Sequence, residues 1–317
     1  MPAVGGQNVT DYTFLQSGAR WDDKPFSIFN NTFVNPQYAA LNTWSTFGIS
    51  NYNSAQVSVR QRLSNDVVFD FNYTLSHSLD DASGLQNAGN FAVASLIFNP
   101  LTPESNYSNS DFDIRHNITA NWLVSLPVGR GKKFLSGSGK LVNGILGGWD
   151  VTGIFRWNSG LPNALRPFAF QRWATNWQIS SGMVRVRPVE TNFGDVNGEP
   201  NMFADPTAVY QSFRDPRPGE AGDRNVIRQP GYFSLDTGLH KTFNMPWEGH
   251  ALTFRWEVFN LTNTQRFTGF NGTGLNTDPF VFGGAPPVGF GNFSATQNPL
   301  GETKAGRVMQ FALRYTF

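Results

Sequence analysis

The sequence predicts an all-β chain, an antiparallel up-and-down arrangement of about seven to eight long strands. Period-two alternation of apolar and polar residues recurs at strand length along the chain. The links between alternating segments swap strictly between short and long, as strands running up and down between a turn side and a loop side require. No helical periodicity competes with this, apart from one or two turns around residues 139–146 inside a connection.

The first segment sets Ala55, Val57, Val59 and Leu63 against Gln56, Ser58, Arg60 and Arg62. After a short link at 64–66, Val67, Phe69, Phe71, Tyr73 and Leu75 oppose Asp70, Asn72, Thr74 and Ser76. A third segment, 114–126, sets Ile114, His116, Ile118, Ala120, Trp122, Val124 and Leu126 against Arg115, Asn117, Thr119, Asn121 and Ser125. In the fourth, Trp149, Val151, Gly153, Phe155 and Trp157 oppose Asp150, Thr152, Arg156 and Asn158. The fifth sets Phe233, Leu235 and Leu239 against Asp236, Gly238 and His240, and the sixth sets Leu252, Phe254, Trp256 and Val258 against Thr253, Arg255 and Glu257. The last, "RVMQFALRYTF", places Met309, Phe311, Leu313, Tyr315 and Phe317 on one face and Gln310, Ala312, Arg314 and Thr316 on the other. Residues 38–49 are the expected source of an eighth strand.

Links at 64–66, 127–148 and 244–250 are short or moderate, whereas those at 79–111, 161–231 and 261–304 are long and rich in Gly, Asn, Pro and aromatics. Loops of that length are out of place in a compact soluble domain. They are normal on the outer side of a transmembrane β-barrel, whose periplasmic turns are short. Trp149 and Trp157 share one face, eight residues apart. At ~3.3 Å per residue and ~45° of tilt that is roughly 19 Å along the membrane normal, near the ~25 Å apolar band of such a barrel. Tyr73, Trp122, Phe243, Tyr315 and Phe317 also lie on apolar faces toward strand ends. The alternative is a soluble or surface-attached β-sandwich ligand-binding module, for glycans for example, in which these aromatics form a shared core.

Composition narrows the class. Charged residues make up 15% of the chain and aromatics another 15%, with 29 Phe, against about a quarter charged in ordinary globular domains. A net charge of +1 without a basic cluster gives no reason to expect nucleic acid as a partner. Gly129-Arg130-Gly131-Lys132-Lys133 reads as a solvated turn. The chain has no Cys, so it has no disulfide framework and no Cys-based metal site or nucleophile. Mean hydropathy is −0.32, and no run reaches the ~18–20 apolar residues of a membrane helix. The opening residues lack the basic and apolar regions of a signal peptide.

Several stretches in order resemble the C-terminal barrel portion of Oar-like TonB-dependent transporters, which carry an N-terminal carboxypeptidase-regulatory-like domain and a plug. They are "SNYNSAQVSVRQRLSNDVVFDFNYTLSHSLDDASG" at 50–84, "DIRHNITANWLVSLPVGRGKK" at 113–133 and "GGWDVTGIFRWNSGLP" at 147–162. "GDRNVIRQPGYFSLDTGLHKTF" at 222–243, "FRWEVFNLTNTQRF" at 254–267 and the terminal "GRVMQFALRYTF" follow. The resemblance implies a cell outer membrane location, outer-membrane lipid as surroundings, and a plug domain and TonB as partners in the full-length protein. It also implies that Met309, Phe311, Leu313, Tyr315 and Phe317 form the signal read by the barrel-assembly machinery. Barrels of this class have about 22 strands. On that basis residues 1–50 are expected to be a loop-rich segment with one extra strand and 51–317 the C-terminal part of the barrel. Plug and upstream strands would be absent, and the chain is expected to be a C-terminal fragment or the product of a partial reading frame.

No catalytic cluster, cofactor motif or metal-ligand spacing is evident, so an enzyme is not expected. His77, His116, His240 and His250 are scattered, and Asp80-Asp81 reads as a solvated loop tip. Residues 269–274, "GFNGTG", echo a phosphate loop without its helix, and the sequon at Asn106 is expected by chance in an Asn-rich chain. Arg60, Arg62, Arg156, Asp236, Arg255, Glu257 and Arg314 are the lumen-facing charges. They either contact a plug or line a substrate path, or satisfy one another as ion pairs. Trp173, Trp177, Phe203, Tyr210, Phe280, Phe282 and Phe290 in the long loops either stack on a ligand or pack against each other.

Overall fold

The computed structural model describes residues 48–64, 66–83, 102–167, 183–214, 222–268, 276–277, 285–296 and 306–317, with two short strands at 3–4 and 7–8. Seven long strands form its framework: β1 (Ser50–Ser64), β2 (Val67–Asp80), β3 (His116–Ser125), β4 (Trp149–Asn158), β5 (Tyr232–Asn244), β6 (Ala251–Phe259) and β7 (Val308–Thr316). They correspond one to one to the alternating segments of the sequence. Each pairs antiparallel with its neighbour in the chain, giving one meander in the order β1 to β7.

Among the described residues, the single meander speaks against the β-sandwich alternative. A sandwich needs two sheets packed over a shared core, whereas the long strands lie in one sheet. Among the described residues, β1 and β7 each pair along one side only.

Register keeps the two faces distinct across the wall, because directly paired residues point the same way. One row runs Val57, Tyr73, Ile118, Trp157 and Phe233, and another runs Trp149, Lys241, Phe254 and Leu313. The β1–β2 register shifts between Arg62 and Ser64, so a local irregularity beside the tight turn leaves the rest of the alternation in phase. Trp122 departs from its expected place near a strand end. It pairs with Gly153, the middle of β4, and a Cβ at Gly153 would fall inside the indole. The missing side chain lets the ring lie flat on the wall.

The turn side carries links at 65–66, 126–148 and 245–250. The middle one contains α1 (Lys140–Leu146), the helix anticipated near residues 139–146. The loop side carries the three long connections, and the hydrophobic core sits there, away from the sheet. Leu165, Met202, Phe203 and Ile227, from the β4–β5 connection, pack with Phe290 from the β6–β7 connection. α2 (Pro206–Tyr210) enters this cluster with Pro206 in its first turn, and its Ala208 N–H donates to the Asp205 carboxylate at 2.9 Å. An Asn197-Gly198 turn, both residues at positive φ, joins the two short strands that carry Asn201 into the core. Of the eighth strand expected at residues 38–49, residues 38–47 lie outside the described residues, and Gly48 and Ile49 are not in a strand.

Candidate functional site

The seven charges singled out from the sequence all fall on the polar face of the sheet, opposite the aromatic rows. Arg60 Nε lies 2.7 Å from Asp70 Oδ2 across the β1–β2 pair, and Asn72 Nδ2 donates to the same carboxylate at 2.6 Å. Arg255 lies 3.8 Å from Glu257, which also accepts from Gln310 Nε2 on β7. Arg62 continues the row of Arg60 toward the turn, paired with Val68. Arg156 faces Ser234 and Thr119, and Arg314 faces Thr253; both side chains are exposed.

Asp150 and Arg156, on the same face of β4, are not partners. Six residues along one strand place them roughly 20 Å apart. Asp150 instead accepts from Ser125 Oγ at 2.5 Å and lies 3.7 Å from His240 Nε2, on the two strands flanking its own. Asp236 accepts from the Asn260 N–H at 2.8 Å, so this charge anchors the point where the chain leaves β6. There Asn260, at φ 54°, closes on Thr264, while Arg266 donates from Nε to the Phe233 carbonyl at 2.5 Å.

Asp80 and Asp81 are not a solvated loop tip: they are 4% and 3% exposed. Arg224, arriving from the β4–β5 connection, forms an ion pair with Asp80, and Asp81 Oδ2 accepts from the Ile49 N–H at 2.8 Å. A second such link is centred on Asp113, 1% exposed, which binds Arg228 and accepts from the Ser78 N–H at 2.7 Å. Between them, Asn225 Nδ2 donates to Asn109 O at 2.7 Å and to Asp111 Oδ1 at 2.6 Å. Two arginines four residues apart therefore stitch one long loop to the top of β2 and to its neighbouring loop. The stretch "GDRNVIRQPG" contained both arginines, but nothing local marked their carboxylate partners, more than 100 residues earlier.

Of the loop aromatics, Phe203 stacks on Phe290 at 5.5 Å between centroids and Tyr210 meets Phe290 edge-on at 5.6 Å. These three pack against each other. Trp173, Trp177, Phe280, Phe282 and the 269–274 segment lie outside the described residues. The cap that holds Phe203, Tyr210 and Phe290 is tied together by Asn201, whose Nδ2 donates to Phe290 O at 2.8 Å and Asn292 Oδ1 at 2.7 Å.

On the polar face, where β1 and β2 rise toward this cap, a half-open recess of about 280 Å³ is lined by Tyr52, Thr74, Ser76, Phe112, Ile114 and Asn117, with Ser78 and Asp113 at its upper end. Tyr52 and Phe112 are exposed beside a hydroxyl- and amide-bearing floor, an arrangement that can stack on and hydrogen-bond a polar ligand. On the opposite face, Tyr73, His116 and Trp157 cluster at the loop end, with Tyr73 Oη 2.9 Å from His116 Nδ1. Trp149, Phe254, Tyr315 and Phe317 occupy the turn end.

A one-sheet meander with an apolar face edged by aromatics, short turns on one side and long packed loops on the other is the architecture of an outer-membrane β-barrel wall. Residues 10–310 match the family model described as Outer membrane beta barrel domain, so the chain belongs to that family and resides in the outer membrane. No curated protein and no solved structure matches it.

Proposed function

We propose that this chain supplies barrel wall and outer loops to a TonB-dependent importer. The observation that carries the reading is the division of the wall: an apolar, aromatic-edged face toward lipid and a face bearing Arg60, Arg62, Arg156, Asp236, Arg255, Glu257 and Arg314 toward the lumen, roofed by packed loops. The ordered resemblance of six stretches to Oar-like transporters supports the TonB-dependent assignment. Ligand meets the loops and the recess beside Tyr52 and Phe112 from outside. The lumen cations, Arg156 and Arg314 above all, face the plug, whose movement by TonB opens the path. The wall itself performs no covalent chemistry in this reading. The terminal set Met309 to Phe317 is the segment read by the barrel-assembly machinery.

The test is uptake by cells producing the full receptor, with its plug, across a panel of ferric chelates, cobalamin and oligosaccharides, with and without TonB. Uptake that disappears without TonB supports the proposal. Uptake that is equal in the two backgrounds overturns it.

A further inference from the structure

The link between β3 and β4 does more than reverse the chain. Residues 127–148 contain Arg130, Lys132, Lys133 and Lys140 and no Asp or Glu. Lys132 reaches Asp66 on the adjacent turn at 2.6 Å. Arg130, Lys133 and Lys140 are exposed and make no ion pair with the described residues. In the same link, α1 carries Leu141, Val142, Ile145 and Leu146, which lie on one side of a helix at i, i+1, i+4 and i+5. Leu141 is 84% and Ile145 67% exposed, and Phe134 and Leu135 before the helix are exposed too. In water this is an unfavourable surface. The opposite side of α1 is pinned, since Asn143 Oδ1 accepts from the Arg130 N–H at 2.6 Å.

The position of α1 follows from its carbonyl end. Lys241 belongs to the apolar face, in one row with Trp149 and Phe254. Its ammonium lies over the rings of Trp149 and Phe243, 5.4 and 4.9 Å from their centroids. From there it donates to Gly144 O at 2.5 Å, and Trp149 Nε1 donates to Ile145 O at 2.8 Å. The C-terminal carbonyls of α1 are thus held against the outside of the wall, at its turn-side rim, by a cation that satisfies them. The exposed apolar side of the helix continues the apolar face of the sheet at the level where hydrocarbon gives way to headgroups.

We infer that residues 127–148 form a binding site for anionic phospholipid in the periplasmic leaflet, with Leu141 and Ile145 entering the acyl boundary and Arg130, Lys133 and Lys140 holding headgroup phosphates. Both features are needed: apolar side chains without cations would bind any lipid, and cations without the apolar stripe would remain in solvent. The inference rests on the reading that the apolar face of the wall meets lipid, and is independent of TonB.

The test uses the full chain inserted into bilayers of phosphatidylcholine with and without phosphatidylglycerol. Because the chain has no Cys, Leu141→Cys and Phe311→Cys each give one site for an environment-sensitive fluorophore. Quenching of both labels by spin-labelled acyl chains supports the proposal. Quenching at 311 with free access of iodide at 141 overturns the inference alone, whereas iodide access at both overturns the lipid-facing wall as well. Retention of phosphatidylglycerol over phosphatidylcholine, read by native mass spectrometry, is expected to fall about fivefold for each of Arg130→Gln, Lys133→Gln and Lys140→Gln. Lys133→Arg with Lys140→Arg keeps the preference. Equal retention of both lipids by the unaltered chain, or an undiminished preference in the triple Gln variant, overturns the proposal.

Discussion

Asp113 has almost no contact with solvent and is held by Arg228, Arg115 and the Ser78 N–H. Replacing it with Ala strands an arginine and a backbone donor at the root of the outer loops. A loss of about 1–3 kcal/mol of local stability follows from unsatisfying such groups. Limited proteolysis of Asp113→Ala should therefore cut the connections at 102–115 and 222–231 while the strands stay resistant. Gly153 makes the complementary case, in which the absence of a side chain is the requirement. Gly153→Val places methyl groups where the Trp122 indole lies, and overpacking of this kind costs about 1–3 kcal/mol. A lowered thermal midpoint with the loop cap unchanged is the expected result.

Among the elements, β7 gives the sharpest contrast between the two faces. Leu313 pairs with Phe254 on the apolar face, and Ala312, one residue away, pairs with Arg255 on the other. An arginine on the lipid face near mid-membrane costs about 2–4 kcal/mol, whereas lumen substitutions are tolerated. Phe311→Arg, on the same face as Leu313 and nearer the middle of β7, should lower unfolding stability in lipid vesicles by that amount. Ala312→Arg should cost much less, the remainder coming from its nearness to Arg255. Equal penalties would mean that the faces are misassigned. The loop cap is a separate element with its own core. Phe290 stacks on Phe203 and meets Tyr210 edge-on, so Phe290→Ala, a large-to-small change in a packed site, should cost about 3–5 kcal/mol. Hydrogen exchange should rise in residues 199–213 and leave β3 to β5 protected.

At the scale of the molecule, the buried apolar cluster among the described residues is confined to the loops, and the wall presents large residues such as Val59, Phe311 and Leu313 without a partner layer from the described residues. A surface of that extent needs hydrocarbon around it. The full chain should be extracted from membranes in folded form only by detergent, and a folded monomer in detergent-free buffer, seen by sedimentation and circular dichroism, would contradict the lipid-facing wall.

The positions of the seven long strands, the face each side chain takes, the rhythm of turns and loops, and the short helix before Trp149 are all legible in the sequence. All of these follow from period-two or period-3.6 patterns, which are local. The alternation therefore puts Arg60, Arg156 and Arg314 each on the polar side of its own strand. It takes the folded chain to bury Asp80 and Asp81, to turn Asp150 to Ser125 and His240, to gather Phe203, Tyr210 and Phe290 into a core, and to bring Lys241 onto the end of α1. Each of those depends on residues from different connections or from strands meeting across the sheet, with Arg224 and Asp80 separated by 144 positions. Periodicity reports the direction of a side chain; its partner is set by how the long loops fold back over the rim, which no local pattern encodes.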